Sequence, residues 1–297
     1  MPSIIDHVAA ADGTELLLRS WPADEAEAGG AWAGPPWGSV LLVHGLGEHS
    51  GRYEHVGDQL TAAGLRVAAY DHRGMGGSGG RRGDVDPWSR FHDDLAERLA
   101  AARAAAGGVP VVLYAHSLGG LIATGYLLDD RPKPDLAVLS SPALDSGVPS
   151  WKKVAARGLA RISPTTEIAN GIRGEWISRD PAVGARTVDD PFCVKVSTAR
   201  FGAAALAEQA RIRKEIGRGL GVPALVLHGE DDHLVPASAS TVLGGLPGVE
   251  RRTYPGLRHE LHNEPEGHEI VDGVIAWIRA GVAERVTGPA VPGGHPG

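Results

Sequence analysis

The sequence predicts an α/β fold with a mostly parallel central sheet flanked by helices. Short apolar runs rich in β-branched residues recur along the chain, and segments with helical spacing separate them, an alternation typical of parallel sheets. The clearest unit spans residues 109–128, where an apolar strand pattern leads through Ser117 into an apolar helix. The alternation breaks between about 145 and 210 and returns at 224–227, which predicts an insertion after the sixth strand.

Composition limits the classes of protein that the chain can belong to. Its 297 residues suit one domain with a substantial insertion. A formal charge of -7 without a basic tract argues against a nucleic-acid partner. Cys193 is the single cysteine, so no internal disulfide can form. Because no signal peptide or membrane-spanning run is visible, we expect a cytoplasmic protein, at most peripheral to membranes.

The insertion and the chain ends set the predicted domain limits. We predict an α/β core formed by residues 1–144 and 211–287 and a lid, or cap, formed by residues 145–210. The tail at 288–297 is rich in glycine and proline and is predicted to be disordered.

The N-terminal elements predict an antiparallel edge. Two short strand patterns, at residues 4–8 and 15–20, flank Asp12 and Gly13, a pair that favours hairpin turns. The following loop, residues 23–38, is rich in Ala, Gly, Pro and acidic residues, and we expect its tryptophans to pack back on the body.

The first parallel strand is predicted at residues 40–43 and ends in a histidine and a glycine. Such a turn can direct the backbone N–H of Leu46 towards a neighbouring pocket, as an oxyanion hole requires. The N–H of Leu118, at the start of the helix after Ser117, would be the second donor. The alternative is that the glycines only permit a tight loop between strand and helix, and the sequence favours neither.

A second glycine-rich turn, residues 71–80, follows the strand predicted at 65–70. Its spacing matches neither a Walker loop nor a dinucleotide fingerprint, so we do not predict a phosphate site. Asp71 and Arg73 are instead predicted to form an ion pair that holds the turn. A helical apolar pattern then runs from Pro87 to the glycines at 107 and 108.

Residues 115–119 match the nucleophile elbow, a sharp turn between strand and helix that exposes a strained serine. The usual first glycine of this pattern is Ala115 here, while Gly119 is present. The alternative is an ordinary connection in which Ser117 caps the helix. That alternative predicts no partner histidine or acid further along the chain.

Within the insertion, residues 151–162 form a basic amphipathic helix pattern. Its apolar face can dock on a lipid surface, or it can pack on the body while its lysines point into water. We interpret Cys193 as a pocket or packing residue, because no paired base is evident.

The last third of the chain supplies an acid and a base. Acids follow the strand predicted at 224–227, where a triad carboxylate belongs in the order Ser, Asp, His, and either Asp231 or Asp232 could serve. His259 lies between the strand predicted at 251–254 and a final helix predicted at about 266–280. His228 and His233 are interpreted as loop structure.

No metal or cofactor is predicted. His259 and His262 lack the helical spacing of a His-Glu-x-x-His zinc site, and no third ligand is apparent.

Five motifs in order make the chain resemble the monoacylglycerol lipase and lysophospholipase group of α/β-hydrolases over residues 5–278. The motifs lie at residues 44–53, 71–78, 115–119, 229–232 and 254–260. The resemblance implies an α/β-hydrolase fold in which Ser117 is the nucleophile, Asp232 the acid and His259 the base.

The resemblance also implies a substrate and a head-group site. By the family pattern, Glu48, Arg52 and His262 bind the glycerol end of a monoacylglycerol, which is cleaved to glycerol and fatty acid through an acyl-enzyme. The alternatives are a lysophospholipase or broad carboxylesterase with the same triad, and a binding scaffold without catalysis. Contact between the lid and a membrane or micelle is a further expectation.

Overall fold

An eight-stranded, mostly parallel sheet organises the computed structural model, which describes residues 3–21, 32, 34–146 and 150–287. The strands of the described chain are β1 (Ile4–Ala9), β2 (Glu15–Trp21), β3 (Gly38–Val43), β4 (Leu65–Tyr70), β5 (Val111–His116), β6 (Leu136–Ser140), β7 (Glu167–Ala169), β8 (Val196–Thr198), β9 (Ala224–Gly229) and β10 (Val249–Tyr254). The main sheet has the order β1-β2-β4-β3-β5-β6-β9-β10, and β2 runs against both of its neighbours. The predicted fold class is confirmed.

The predicted strands and the N-terminal hairpin are confirmed with small changes at their ends. The hairpin turns at Gly13, whose φ of 83° is a conformation that glycine adopts without strain. Most of the predicted loop at residues 23–38, and the whole predicted tail at 288–297, lie outside the described residues.

Helices cover both faces of the sheet and create two apolar cores. The helices are α1 (Glu54–Ala62), α2 (Ser89–Ala105), α3 (Leu118–Leu128), α4 (Ser150–Ile162), α5 (Gly174–Ile177), α6 (Pro181–Asp189), α7 (Ala199–Glu215), α8 (Thr241–Gly244) and α9 (Gly267–Thr287). One core joins the sheet to α2, α3 and α7, and the other joins it to α1 and α9. The final helix runs past the predicted end at residue 280.

The centre of the sheet carries the unit around Ser117. Every residue of β5 and of α3 is buried, which explains why both segments are apolar without a polar face. The carboxyl end of β5 lies between those of β3 and β6. Residues that follow these strands therefore meet at one edge of the sheet.

The inserted segment connects β6 to β9 and contains α4 to α6, the small β7 and β8 pair and most of α7. Helix α7 contacts both α3 in the core and α4 in the insertion. The predicted limit at residue 210 falls within α7, and the division into core and lid stays a prediction.

The predicted ion pair between Asp71 and Arg73 is wrong. Arg73 instead pairs with Asp94 on α2 and with Asp12 in the hairpin turn. The buried Asp71 accepts hydrogen bonds from the backbone N–H groups of Ser50 and Gly77. The turn is therefore held by backbone donors on Asp71, while Arg73 ties it to other elements.

No helix within the described residues combines the length and the apolar character that crossing a bilayer needs.

Candidate active site

Ser117 sits in a strained turn between β5 and α3. Its φ of 51° and ψ of -112° lie in a region that costs a non-glycine residue about 1–3 kcal/mol. A side chain at position 119 would bring its Cβ within 2.5 Å of the Val43 carbonyl oxygen, so Gly119 lets the turn pass close to β3. The Ala115 methyl group is buried in the main core, which accommodates the departure from glycine.

His259 and Asp232 reach Ser117 from the loops after β10 and β9. The Nε2 atom of His259 lies 2.8 Å from Ser117 Oγ, and its Nδ1 atom lies 2.6 Å from Asp232 Oδ2. Backbone N–H groups of Leu234 and Val235 donate to Asp232 Oδ1 at 2.8 and 2.9 Å. Asp232 makes the contact with His259, whereas the side chain of Asp231 is half exposed to solvent.

Burial and charge decide how this group is protonated. Burial alone would raise the pKa of Asp232. The positive charge that His259 can carry, and the hydrogen bonds that Asp232 accepts, instead hold this pKa well below its usual range. Burial alone would lower the pKa of His259, but the Asp232 charge and hydrogen bond raise it above its ordinary value. The pair is therefore arranged to stabilise a positive imidazolium beside an ionised carboxylate.

Two backbone donors lie on residues that line the cavity beside Ser117. The N–H groups of Leu46 and Leu118 donate no hydrogen bond to any described residue, and both residues line the cavity that contains Ser117. The loop that presents Leu46 is fixed through Gly47, whose carbonyl oxygen accepts a hydrogen bond from the Val194 N–H at 2.8 Å. Free N–H groups beside a serine hydroxyl can bind a developing oxyanion.

A buried polar cluster lies next to these donors. Arg52 Nη1 donates to Glu48 Oε2 at 2.8 Å and to Glu260 Oε1 at 2.7 Å, and Arg52 Nη2 donates to Glu260 Oε2 at 2.8 Å. Arg52 Nη2 also donates to Thr187 Oγ1 on α6. Although burial opposes ionisation, the Arg52 guanidinium holds the pKa of Glu260 well below its usual range.

His262 lies behind this cluster rather than in the cavity wall. Its ring stacks on Tyr53 at 4.7 Å, and neither ring nitrogen has a hydrogen-bond partner among the described residues. Burial lowers the pKa of His262 to about 3, so the ring is neutral near neutral pH. Glu48 and Arg52 line the cavity, whereas His262 is not among its described lining residues.

The cavity itself is large and mostly apolar, with a volume of about 720 Å³. Ser117 and His259 open into it, and Leu121, Ile177 and Phe201 contribute to its apolar wall. Cys193 also lines it, and burial raises the pKa of its thiol to about 12, so the sulfur stays protonated. A cavity of this kind can enclose a long apolar chain whose end reaches Ser117.

Two three-residue groups in the described chain place possible metal ligands within 4.8 Å of one another. In one of them, His49 Nε2 already contacts Asp190 Oδ2 at 2.9 Å, and Cys193 is the third member. In the other, Glu48 and Glu260 are already bound by the Arg52 guanidinium.

Sequence reasoning missed two residues of this site. Glu260, directly after His259, was not predicted to take part, although a charged residue beside a base in a motif could have drawn attention to it. His228 was interpreted as loop structure, but its Nε2 atom lies 3.2 Å from Asp232 Oδ2. Its position four residues before Asp232, at the end of a buried strand, was the available sign.

Comparisons with known proteins match most of the chain. Residues 34–266 match the protein-family model described as serine aminopeptidase, S33. The chain is 35% identical to a monoacylglycerol lipase of Mycolicibacterium smegmatis, over 91% of this chain and 95% of the relative. It is 30% identical to the monoglyceride lipase of Homo sapiens, over 95% and 91% of the two chains.

The chain is also similar to a solved structure of a protein with this name. The crystal structure of a monoacylglycerol lipase from Paleococcus ferrophilus aligns with a TM-score of 0.74 and 32% identity, covering 84% of this chain and 96% of that chain.

Proposed function

Because the chain belongs to the serine aminopeptidase S33 family of α/β-hydrolases and is a carboxylic ester hydrolase, we propose that its substrates are monoacylglycerols. The observation that carries the proposal is the Ser117, His259 and Asp232 contact at the end of an apolar cavity whose polar end holds Glu48 and Arg52. Two relatives named as lipases of this substrate class, each matched over more than nine-tenths of both chains, support it.

In the first half of the proposed reaction, Ser117 Oγ attacks the ester carbonyl carbon. His259 Nε2 takes the hydroxyl proton as the new carbon–oxygen bond forms, and Asp232 stabilises the imidazolium that results. The N–H groups of Leu46 and Leu118 bind the negative oxygen, and each such donor typically lowers the barrier by about 3 kcal/mol.

Collapse of the tetrahedral species breaks the bond to the glycerol oxygen. His259 returns its proton to that oxygen, and glycerol leaves while the acyl group stays on Ser117. Water then repeats the sequence, with His259 taking a proton from water and giving it to Ser117 Oγ. The fatty acid is released, and no step calls for a cofactor.

Charge at the polar end favours a neutral head group over a phosphate. Glu48 and Glu260 contribute two carboxylates against the single guanidinium of Arg52. Burial lowers the pKa of both His116 and His262, so neither ring adds a positive charge. The net charge of these three side chains, about -1, disfavours a phosphodiester beside them, and their polar atoms can bind hydroxyl groups, which favours monoacylglycerol over lysophospholipid.

We place the head-group hydroxyls against Glu48 and Arg52, while His262 supports Glu48 through Tyr53. Its ring fixes the position of Tyr53, whose hydroxyl donates to Glu48 at 2.8 Å. The acyl chain occupies the apolar cavity beneath the inserted segment, which serves as the lid.

Exposure of α4 supports contact between this lid and a lipid surface. Val154 and Ile162 are 65% and 87% exposed, so this part of the apolar face is open to solvent. An exposed apolar stripe flanked by arginines is suited to a membrane or micelle interface.

The test compares hydrolysis of 1-monoacylglycerol, lysophosphatidylcholine, triacylglycerol and a short aryl ester, with Ser117→Ala as the control. We expect monoacylglycerol to be cleaved fastest and Ser117→Ala to be inactive on all four. Cleavage of the lysophospholipid or the aryl ester alone would retain the triad and overturn the head-group assignment. A fluorophosphonate probe that fails to label wild-type protein would favour a binding scaffold.

A further inference from the structure

His228, one residue before the end of its strand, contacts the proposed triad. It lies on β9, its side chain is fully buried, and its Nε2 atom is 3.2 Å from Asp232 Oδ2. The same oxygen accepts the hydrogen bond from His259 Nδ1 at 2.6 Å. This oxygen therefore accepts a hydrogen bond from one imidazole ring and lies in contact with a second, whose Nε2 hydrogen bond goes to the Val235 carbonyl oxygen, while backbone N–H groups bind the other carboxylate oxygen.

The neighbours of His228 determine its tautomer. The Val235 carbonyl oxygen lies 3.0 Å from Nε2 and can only accept, so Nε2 carries the proton. In a neutral ring Nδ1 is then an acceptor, and the Ser240 hydroxyl lies 2.9 Å from it. Arg251 Nε in turn donates to Ser240 Oγ at 2.9 Å.

Two series of contacts therefore converge on Asp232. One runs from Arg251 through Ser240 and His228, and the other runs from Ser117 through His259. The ring of His228 cannot rotate without breaking a contact at both nitrogens. A buried donor held in this way fixes the acceptor that it faces.

We propose that His228 is a positioning residue for ester hydrolysis, which holds the Oδ2 atom of Asp232 in line with His259 and limits how strongly that oxygen binds the imidazole. The proposal rests on the proposed function, because it requires Asp232 and His259 to act together.

The consequence is a measurable effect on the base. A donor on Oδ2 withdraws negative charge from the His259 hydrogen bond, so removing that donor strengthens the bond and favours the imidazolium. The other titratable groups that face this pair are His116, 4.8 Å from the His259 ring, and the cluster of His262, Glu260 and Glu48. None of these contacts His228, so a change at His228 acts through Asp232.

Two matched amide variants separate positioning from simple packing. The side-chain nitrogen of His228→Gln reaches the place of Nε2, whereas that of His228→Asn reaches only the place of Nδ1. We measure kcat/KM for a soluble aryl ester as a function of pH in both variants and in wild-type protein. Thermal unfolding of each variant shows the temperature range in which it is folded.

We expect His228→Asn to lose about tenfold or more in kcat/KM, since small displacements of catalytic groups are costly. The acid limb of its pH profile, where kcat/KM falls as the pH is lowered, should move to higher pH. His228→Gln should keep the acid limb of the wild-type protein and most of its kcat/KM. Ser240→Ala, which removes the partner of Nδ1, should move the limb in the same direction by less.

An acid limb that is unchanged or moves to lower pH in His228→Asn overturns the proposal, as does an equal loss in the Gln and Asn variants. If His228→Asn does not fold, the limb of Ser240→Ala decides in the same way. Failure of the proposed triad would be distinguished from failure of this proposal, because Ser117→Ala would then keep its activity.

Discussion

Glu48 accepts a hydrogen bond from the backbone N–H of Gly45, with 2.5 Å between oxygen and nitrogen. The same oxygen accepts a hydrogen bond from the Tyr53 hydroxyl, and the second carboxylate oxygen accepts one from Arg52 Nη1. A side chain expected at the head group therefore also holds the loop that presents the Leu46 N–H. Its replacement should disturb that donor as well as substrate binding.

For Glu48→Ala we expect kcat on a short aryl ester to fall by roughly 100-fold, a loss comparable to that of one oxyanion donor. The loss in kcat/KM on monoacylglycerol should be larger, because that substrate also loses its head-group contact. Parallel assays on the two substrates measure this. Tyr53→Phe is the control, because it removes one donor from Glu48 and leaves the Gly45 contact intact. A loss confined to monoacylglycerol would contradict the role in holding the loop.

The pH dependence of the reaction should report His259. The base works as neutral imidazole, and the Asp232 charge and hydrogen bond outweigh burial to raise its pKa above 6.5. Activity is therefore present above the raised pKa and is lost as the pH falls through it. We expect the acid limb of kcat/KM to have its midpoint above pH 6.5, and a midpoint below that value would refute the assignment.

Exchange of glycine and alanine should be far more damaging at position 119 than at position 115. In Gly119→Ala the new Cβ would lie 2.5 Å from the Val43 carbonyl oxygen, so the elbow must shift. We expect stability to fall by about 2 kcal/mol and activity by about 100-fold. Ala115→Gly should cost about 1 kcal/mol and much less activity. Urea unfolding and aryl ester kinetics measure both, and equal activity losses would argue against the close approach.

The exposed face of α4 should govern binding to lipid surfaces. Replacing one exposed apolar side chain with serine removes about 1.5 kcal/mol or more of burial, so Ile162→Ser should weaken vesicle binding about tenfold. Sedimentation with vesicles of neutral and anionic lipid measures it. Val242→Ser is the matched control, since Val242 is an exposed apolar residue on α8. Equal weakening by both variants would show that α4 is not the docking surface.

Local patterns predicted much of the fold and the order of the site. Apolar periodicity located the strands of the main sheet because buried strands need continuous apolar residues on both faces. Short loops after those strands then placed Ser117, an acid and His259 at the same edge of the sheet. Turn chemistry was less informative, and the expected pairing of Asp71 with Arg73 was wrong because partners distant in sequence were available.

What the sequence by itself determined was the strand order along the chain, the elbow and the three motifs that carry Ser117, Asp232 and His259. Only the tertiary structure decided which further groups touch: Glu48 against Gly45, Glu260 against Arg52, and His228 against Asp232. The reason is physical. Periodicity reports which face of an element is buried, whereas a hydrogen bond depends on where separate loops bring two atoms within about 3 Å.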